Sequence, residues 1–160
     1  MYPQAFVWVR GRTAAASQAF VGAAAGHVKP CPAEVPEHVD VVIAATTSKA
    51  PVYDLPARAG RLVIGVGAFR PDLAEIGPAT LHGSALYADE PAGARHEAGD
   101  LIQAGVDWTH VRPLAALLDA APDHTRPLVF KSVGSAAWDL AAGRAALAAL
   151  RREGAVPHGG

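Results

Sequence analysis

The chain has 160 residues, of which 51% are hydrophobic and 18% are charged, and its formal net charge is −1. This composition excludes a disordered chain, and the lack of a basic cluster argues against nucleic acid or an acidic membrane as a partner. No apolar run reaches the roughly 18 residues of a membrane span, and the single cysteine, Cys31, cannot form an internal disulfide. We therefore expect one soluble, cytoplasmic domain with a sizeable core.

Short β-branched runs alternate with Ala-rich segments along the chain. Strands alternating with helices at this spacing predict parallel β-α-β units. Thr13 is suited to cap the first helix, because its hydroxyl accepts a free backbone N–H. Residues 1–153 are thus predicted to fold as one α/β domain, and 154–160 to be disordered. The predicted strands are 6–9, 27–31, 41–45, 62–66, 86–88 and 128–130, and the predicted helices are 13–25, 55–59, 92–104, 111–120 and 136–153.

Two of the predicted strands, 41–45 and 62–66, run directly into short polar or glycine-bearing loops. In open α/β sheets, ligands bind outside the carboxyl ends of the strands, so these loops predict one edge of a nucleotide pocket. Hydroxyls, backbone N–H groups and a glycine that allows close backbone approach would line it. A plain polar turn is the alternative for the first loop. The candidate cofactor-binding residues here are Thr46, Thr47, Ser48, Val66 and Gly67.

A glycine-rich phosphate loop, G-x-G-x-x-G, is not found. Gly65 and Gly67 follow a strand, but Pro71 prevents a helix from opening there. We interpret the start of the chain as the end of the second strand of a Rossmann unit, with Arg12 and Thr13 in place of the usual acidic residue. A guanidinium and a hydroxyl suit the 2′-phosphate of NADP. The alternative is that Arg10 and Arg12 are only solvated arginines at the end of a strand. The first strand and the phosphate loop would then lie upstream.

Four motifs, in order, resemble the ornithine cyclodeaminase/mu-crystallin family from about residue 5 to residue 150. They are 45–48 (ATTS), 65–72 (GVGAFRPD, followed by Glu75), 97–101 (EAGDL) and 130–134 (FKSVG). The details are most similar to bacterial reductases of Δ1-pyrroline-2-carboxylate and Δ1-piperideine-2-carboxylate. The resemblance implies a Rossmann-like three-layer sandwich with an incomplete, mainly parallel sheet. It also implies NADPH, with NADH possible, as cofactor, a cyclic imino acid as substrate, and homodimers formed through a domain that this chain lacks.

Phe69 separates two activities within that family. The cyclodeaminases resembled here carry an aspartate at this position, beside the nicotinamide. A phenyl ring cannot take a proton or hold an ammonium by charge, so Phe69 favours imine reduction over ornithine deamination. Ordinary packing of the loop is the alternative for this residue.

Further site residues follow from the resemblance. Ser132 corresponds to the family's nicotinamide-side contact, and Arg70 and Glu97 are placed on the substrate side. Glu97 and Asp100 stand at helical spacing and could instead be caps or surface charges, and Lys131 could be a solvated charge. No catalytic residue is assigned, and the histidines show no metal-ligand spacing.

Two classes of function remain. The first is part of an NAD(P)H-dependent cyclic imino-acid reductase, with ornithine cyclodeaminase as the alternative within the family. The second is an inactive or binding-only, crystallin-like fragment. In either class we expect the chain by itself not to catalyse reduction, because the phosphate loop and a substrate domain are missing from it.

Overall fold

Two separate parallel sheets are formed by the described residues, one in each of two units of the chain. A computed structural model describes residues 5–24 and 26–152. The first unit ends at Val39 and the second begins at Asp40. The predicted tail, 154–160, lies outside the described residues. Within the described ranges, no helix has the length and apolar character needed to cross a lipid bilayer.

The first unit contains a β-α-β motif. Strand β1 (Val7–Val9) leads into helix α1 (Ala14–Ala23), and the chain returns as strand β2 (Val28–Pro30), which pairs with β1 in parallel. The Thr13 hydroxyl accepts the N–H of Ala16 at 3.1 Å and caps the helix. The predicted elements in this part of the chain are therefore confirmed to within two residues at each end.

The second unit has a five-stranded sheet in which all neighbouring strands are parallel. Its strands are β3 (Val41–Ala44), β4 (Leu62–Gly65), β5 (Ala85–Ala88), β6 (Arg112–Pro113) and β7 (Leu128–Lys131). Their order across the sheet is β3-β4-β7-β5-β6. The predicted parallel arrangement is confirmed, and β3 and β4 are not joined as a hairpin.

The core of this sheet lies on its central strands. Val63 on β4 and Val129 on β7 are 3% and 1% exposed, whereas Ile43 on the edge strand β3 is 66% exposed. A β-branched run is thus buried on the central strands but half in solvent at the edge. The hydrophobic runs predicted the strands without predicting which of them is the edge.

A helix predicted at 92–104 is interrupted in the structure. It forms as α3 (Pro91–Glu97) and α4 (Gly99–Ala104), separated by Ala98 with φ −75° and ψ 83°. Gly99, the first residue of α4, allows close packing, because a Cβ at this position would lie 2.0 Å from the carbonyl oxygen of Leu73. The interruption accompanies the burial of the first turn of α4.

The helices predicted at 55–59 and 111–120 are wrong. In the first segment, the carbonyl of Leu55 accepts a hydrogen bond from the hydroxyl of Thr80 at 2.6 Å. Thr80 belongs to a short helix that the sequence did not predict, α2 (Pro78–Leu81). In the second segment, Arg112 pairs with Tyr87 as part of β6, and a 3-10 helix follows. Tertiary pairing has overridden local preference in both places.

The final helix, α5 (Ala136–Arg152), forms where it was predicted, as far as the described residues extend. The three-layer sandwich predicted from the sequence requires this helix to pack back on the sheet, but none of its residues is buried. Trp138 and Leu140 are 49% and 61% exposed. The prediction that this helix packs on the sheet is therefore wrong.

Candidate functional site

Four strands of the second unit end in register. Ala44, Gly65, Lys131 and Ala88 are the last residues of β3, β4, β7 and β5, and each is paired with its neighbour across the sheet. The segments that follow them therefore leave the sheet at one edge, the carboxyl edge, where open α/β sheets bind ligands. The sequence predicted this edge from the first two loops alone, and the register adds the segments after β5 and β7.

The loop after β3 uses its three hydroxyls unequally. Thr46 Oγ1 accepts the N–H of Ser48 at 3.2 Å, and Ser48 Oγ donates to the carbonyl of Ala50 at 2.6 Å. Thr47 is exposed and makes no hydrogen bond with any described residue. Of the three predicted ligand contacts in this loop, Thr47 is thus the one whose hydroxyl has no described partner.

The loop after β4 presents apolar side chains to solvent. Val66 and Phe69 are 45% and 48% exposed, next to the hydroxyl-bearing loop. Arg70 is engaged at the surface, because its Nε lies 3.2 Å from the carboxylate of Asp72, which also pairs with Lys49 at 3.4 Å. These exposed ion pairs contribute little to stability. The loop therefore offers an apolar surface with one cation held to its side.

Gly67 is required by contact between these two loops. A Cβ at this position would lie 1.8 Å from the carbonyl oxygen and 2.5 Å from the nitrogen of Thr46. The sequence predicted a close backbone approach at this glycine, and the structure shows that the loop after β3 is what approaches it. Any side chain here would push the two loops apart.

Glu75 joins the same two loops from inside the protein. Its side chain is fully buried. One carboxylate oxygen accepts the N–H of Thr46 in a short hydrogen bond, and the other accepts the N–H groups of Gly67 at 2.6 Å and Ala68 at 3.2 Å. The sequence placed Glu75 in a motif and gave it no role.

A buried ion pair lies beneath the edge. Lys131 Nζ is 3.1 Å from Asp100 Oδ2, and both side chains are 0% exposed. Asp100 Oδ1 accepts the N–H groups of Glu75, in a short hydrogen bond, and of Ile76, at 3.0 Å. The interpretations of Lys131 as a solvated charge and of Asp100 as a cap or surface charge are therefore wrong.

The segment after β7 is held by Asp89, which follows β5. Asp89 Oδ2 accepts the Ser132 hydroxyl at 3.0 Å and the N–H groups of Val133 at 3.0 Å and Gly134 at 2.8 Å. Ser132 Oγ donates its proton to this carboxylate, so toward a ligand it is an acceptor. Sequence reasoning missed Asp89, although an acidic residue directly after a buried strand is a usable signal.

Two groups of predicted site residues do not belong to the segments that follow these strand ends. Arg12 and Thr13 belong to the first unit, where Arg12 is exposed and Thr13 caps α1. Glu97 is exposed at the last residue of α3 and makes no hydrogen bond or ion pair with a described residue. Their predicted roles stay predictions. No cluster of His, Cys, Asp and Glu residues suited to a metal ion occurs in the part of the chain that the structure describes.

A parallel sheet with polar and glycine-bearing loops at one carboxyl edge defines the class of Rossmann-like, nucleotide-binding α/β proteins. Within that class, the chain belongs to the ornithine cyclodeaminase/mu-crystallin family, whose sequence profile matches residues 6–150. The resemblance drawn from the four motifs is thereby confirmed.

Relatives of known activity give a finer comparison. The chain is 52% identical to the Δ1-pyrroline-2-carboxylate/Δ1-piperideine-2-carboxylate reductase of Azospirillum brasilense, over 96% of this chain and 51% of that protein. It is 51% identical to Δ1-pyrroline-2-carboxylate reductase 2 of Burkholderia ambifaria, over 94% of this chain and 50% of that protein. The chain thus spans about half the length of the curated relatives it matches.

A solved structure shares the fold. The Thermococcus litoralis Δ1-pyrroline-2-carboxylate reductase, in complex with NADH and L-proline, superposes with a TM-score of 0.74. The match covers 95% of this chain and 52% of that one, at 22% sequence identity. At this identity the likeness supports the Rossmann-like fold and nothing finer.

Proposed function

We propose that this chain is part of an NAD(P)H-dependent reductase that converts Δ1-pyrroline-2-carboxylate to proline and Δ1-piperideine-2-carboxylate to pipecolate. The observation that carries the proposal is the set of strand ends in register, with the family's loops on them, in a chain about half identical to such reductases. The homologous reductases are about twice as long as this chain. The activity is therefore proposed for a protein of that length that contains this chain. Homodimerisation and a cytoplasmic location are part of the proposal.

The residues at the carboxyl edge fit a nicotinamide cofactor. Thr47 offers an exposed hydroxyl, and Val66 and Phe69 offer exposed apolar surface on the neighbouring loop. A ligand with a flat ring and polar substituents needs this pairing of apolar contact and hydrogen bonds. Ser132, held by Asp89, would accept a hydrogen bond from the carboxamide end of the ring.

The reduction of an imine needs only a hydride and a proton, so it does not require a charged side chain at the position of Phe69. When bound, the reduced nicotinamide supplies a hydride to the imine carbon, and the imine nitrogen takes up a proton. Phe69 would cover the ring of the imino acid and exclude water. Because Phe69 carries no charge, it can neither take a proton nor form an ion pair with the ammonium of ornithine, and deamination is disfavoured.

We further propose that NADPH is preferred over NADH. Arg12 is exposed and makes no ion pair with a described residue, so its forked donors are available to a 2′-phosphate. Thr13 accepts the N–H of Ala16 and keeps its hydroxyl proton for another acceptor. The adjoining helix terminus favours a negative charge at the same place.

A chimera tests the proposal. This chain would replace the matched half of the Azospirillum brasilense reductase, and NADPH oxidation would be followed with Δ1-pyrroline-2-carboxylate. We expect imine-dependent NADPH oxidation with proline as product and no ammonia release from ornithine. A folded chimera that binds NADPH but does not reduce Δ1-pyrroline-2-carboxylate would contradict the reductase assignment. Ammonia release from ornithine would favour the cyclodeaminase instead.

A further inference from the structure

Glu75 distributes its two carboxylate oxygens between two different loops. Oε1 accepts from Thr46 on the loop after β3, whereas Oε2 accepts from Gly67 and Ala68 on the loop after β4. The side chain is 0% exposed and forms no ion pair with any described residue. Three backbone N–H groups therefore supply the donors that offset the cost of burying this carboxylate.

The position of the carboxylate is itself fixed. The backbone N–H of Glu75 donates to Asp100, whose other oxygen meets the ammonium of Lys131 at the end of β7. The chain of contacts thus runs from the end of β7 to the loops after β3 and β4. Glu75 is thus bound at its backbone by Asp100 and at its carboxylate by the two loops. A buried residue bound in this way is suited to keep the two loops at a set separation.

We infer that Glu75 is a positioning residue for the cofactor, setting the two loops that would hold the nicotinamide end without touching the ligand itself. The inference rests on the proposed function. It predicts that cofactor affinity depends on an acceptor at both oxygens of residue 75, because Thr47 and Val66 each lie next to an N–H that Glu75 binds.

Glutamine separates the two halves of this role. A Glu75→Gln side chain keeps the shape but has one acceptor oxygen, and its NH2 group cannot accept a hydrogen bond. The oxygen should face Gly67 and Ala68, where it satisfies two donors, which leaves the NH2 group against the N–H of Thr46. Glu75→Ala removes both acceptors. Glu34→Gln is the matched control, because Glu34 is exposed and makes no hydrogen bond with a described residue.

The test combines amide hydrogen exchange, followed by NMR on the full chain, with NADPH titration of the chimera. In Glu75→Gln, exchange at Thr46 should speed up by about tenfold or more while Gly67 and Ala68 stay protected, and in Glu75→Ala all three should speed up. NADPH affinity should fall in both variants and stay unchanged in Glu34→Gln. Wild-type affinity in Glu75→Ala would overturn the positioning role.

The two proposals fail in different ways. If the wild-type chimera did not bind NADPH, the proposed cofactor site would be overturned, and with it the positioning role. Unchanged exchange at Thr46, Gly67 and Ala68 in Glu75→Ala would overturn the coupling of the loops even if NADPH binds.

Discussion

The ammonium of Lys131 lies 3.1 Å from the carboxylate of Asp100, and neither side chain is exposed to solvent. Apart from this ion pair, Lys131 Nζ and Asp100 Oδ2 have no hydrogen-bond partner among the described residues. The pair therefore depends on direct charge attraction between two side chains that are closed to solvent. Removal of Lys131 would leave the buried Asp100 carboxylate with only the backbone N–H groups of Glu75 and Ile76 to offset its desolvation.

Lys131→Met should strongly destabilise the five-stranded sheet. Breaking a buried ion pair by removing one partner typically costs about 3–5 kcal/mol. Adding Asp100→Asn should recover part of the loss, because asparagine removes the charge and its Oδ1 still accepts from Glu75 and Ile76. Native-state hydrogen exchange at the amides of β4 and β7 measures the free energy of opening this sheet. Equal stability of wild type and the single variant would show that the pair contributes nothing.

Arg12→Ala should reduce the preference of the chimera for NADPH over NADH by about tenfold or more, because a charge-assisted hydrogen bond is worth roughly 1.5–3 kcal/mol. The readout is the ratio of kcat/KM for the two cofactors. Lys29→Ala removes another exposed cation of the first unit and should leave the ratio as it was. The same ratio in wild type and Arg12→Ala would mean that the arginine is only a surface charge.

Thr47→Val should weaken NADPH binding by about twofold to tenfold, the usual effect of losing one neutral hydrogen bond. The hydroxyl of Thr47 has no described partner inside the protein, so its removal should not lower stability. Fluorescence titration of the chimera with NADPH gives the affinity, and thermal unfolding checks the fold. A loss of stability with unchanged affinity would instead assign Thr47 a role within its own loop.

Asp107 should titrate below its ordinary pKa of 3.8, because the Thr109 hydroxyl, at 2.7 Å, and the Thr109 N–H, at 2.9 Å, both donate to its carboxylate. A lowered pKa in the folded state means that this contribution to stability is present above pH 3.8 and is lost as the pH falls through the folded-state pKa. Thr109→Val should raise the pKa of Asp107 toward 3.8, as followed by carboxyl-carbon NMR.

Asp123 supplies an internal control for that titration. The Thr125 hydroxyl and N–H lower its pKa in the same way, and Thr109→Val does not touch this pair. Its titration curve should therefore stay in place while that of Asp107 moves. Equal movement of both curves would indicate a general change of the protein and not the loss of one hydrogen bond.

Local sequence patterns were sufficient to predict several elements of the fold. β-branched runs bounded by Gly and Pro predicted β3, β4 and β7, and their alternation with helices predicted parallel pairing. The motifs predicted the family, and the position of the strand-end loops predicted the edge at which a ligand would bind. These features depend on residues near each other in the chain, so the sequence displays them directly.

Which charged residues are buried, and which groups they bind, could be seen only in the folded chain. Glu75 meets Thr46 across 29 positions, and Asp100 meets Glu75 across 25. Contacts between residues so far apart in the chain leave no periodic pattern in the sequence. Asp100 and Lys131 could therefore be taken for surface charges. The register of four strand ends brings these side chains to one edge, and burial there makes each carboxylate bind the backbone N–H groups within reach. The physical reason is that the cost of burying a charge depends on its partners, and the fold alone supplies them.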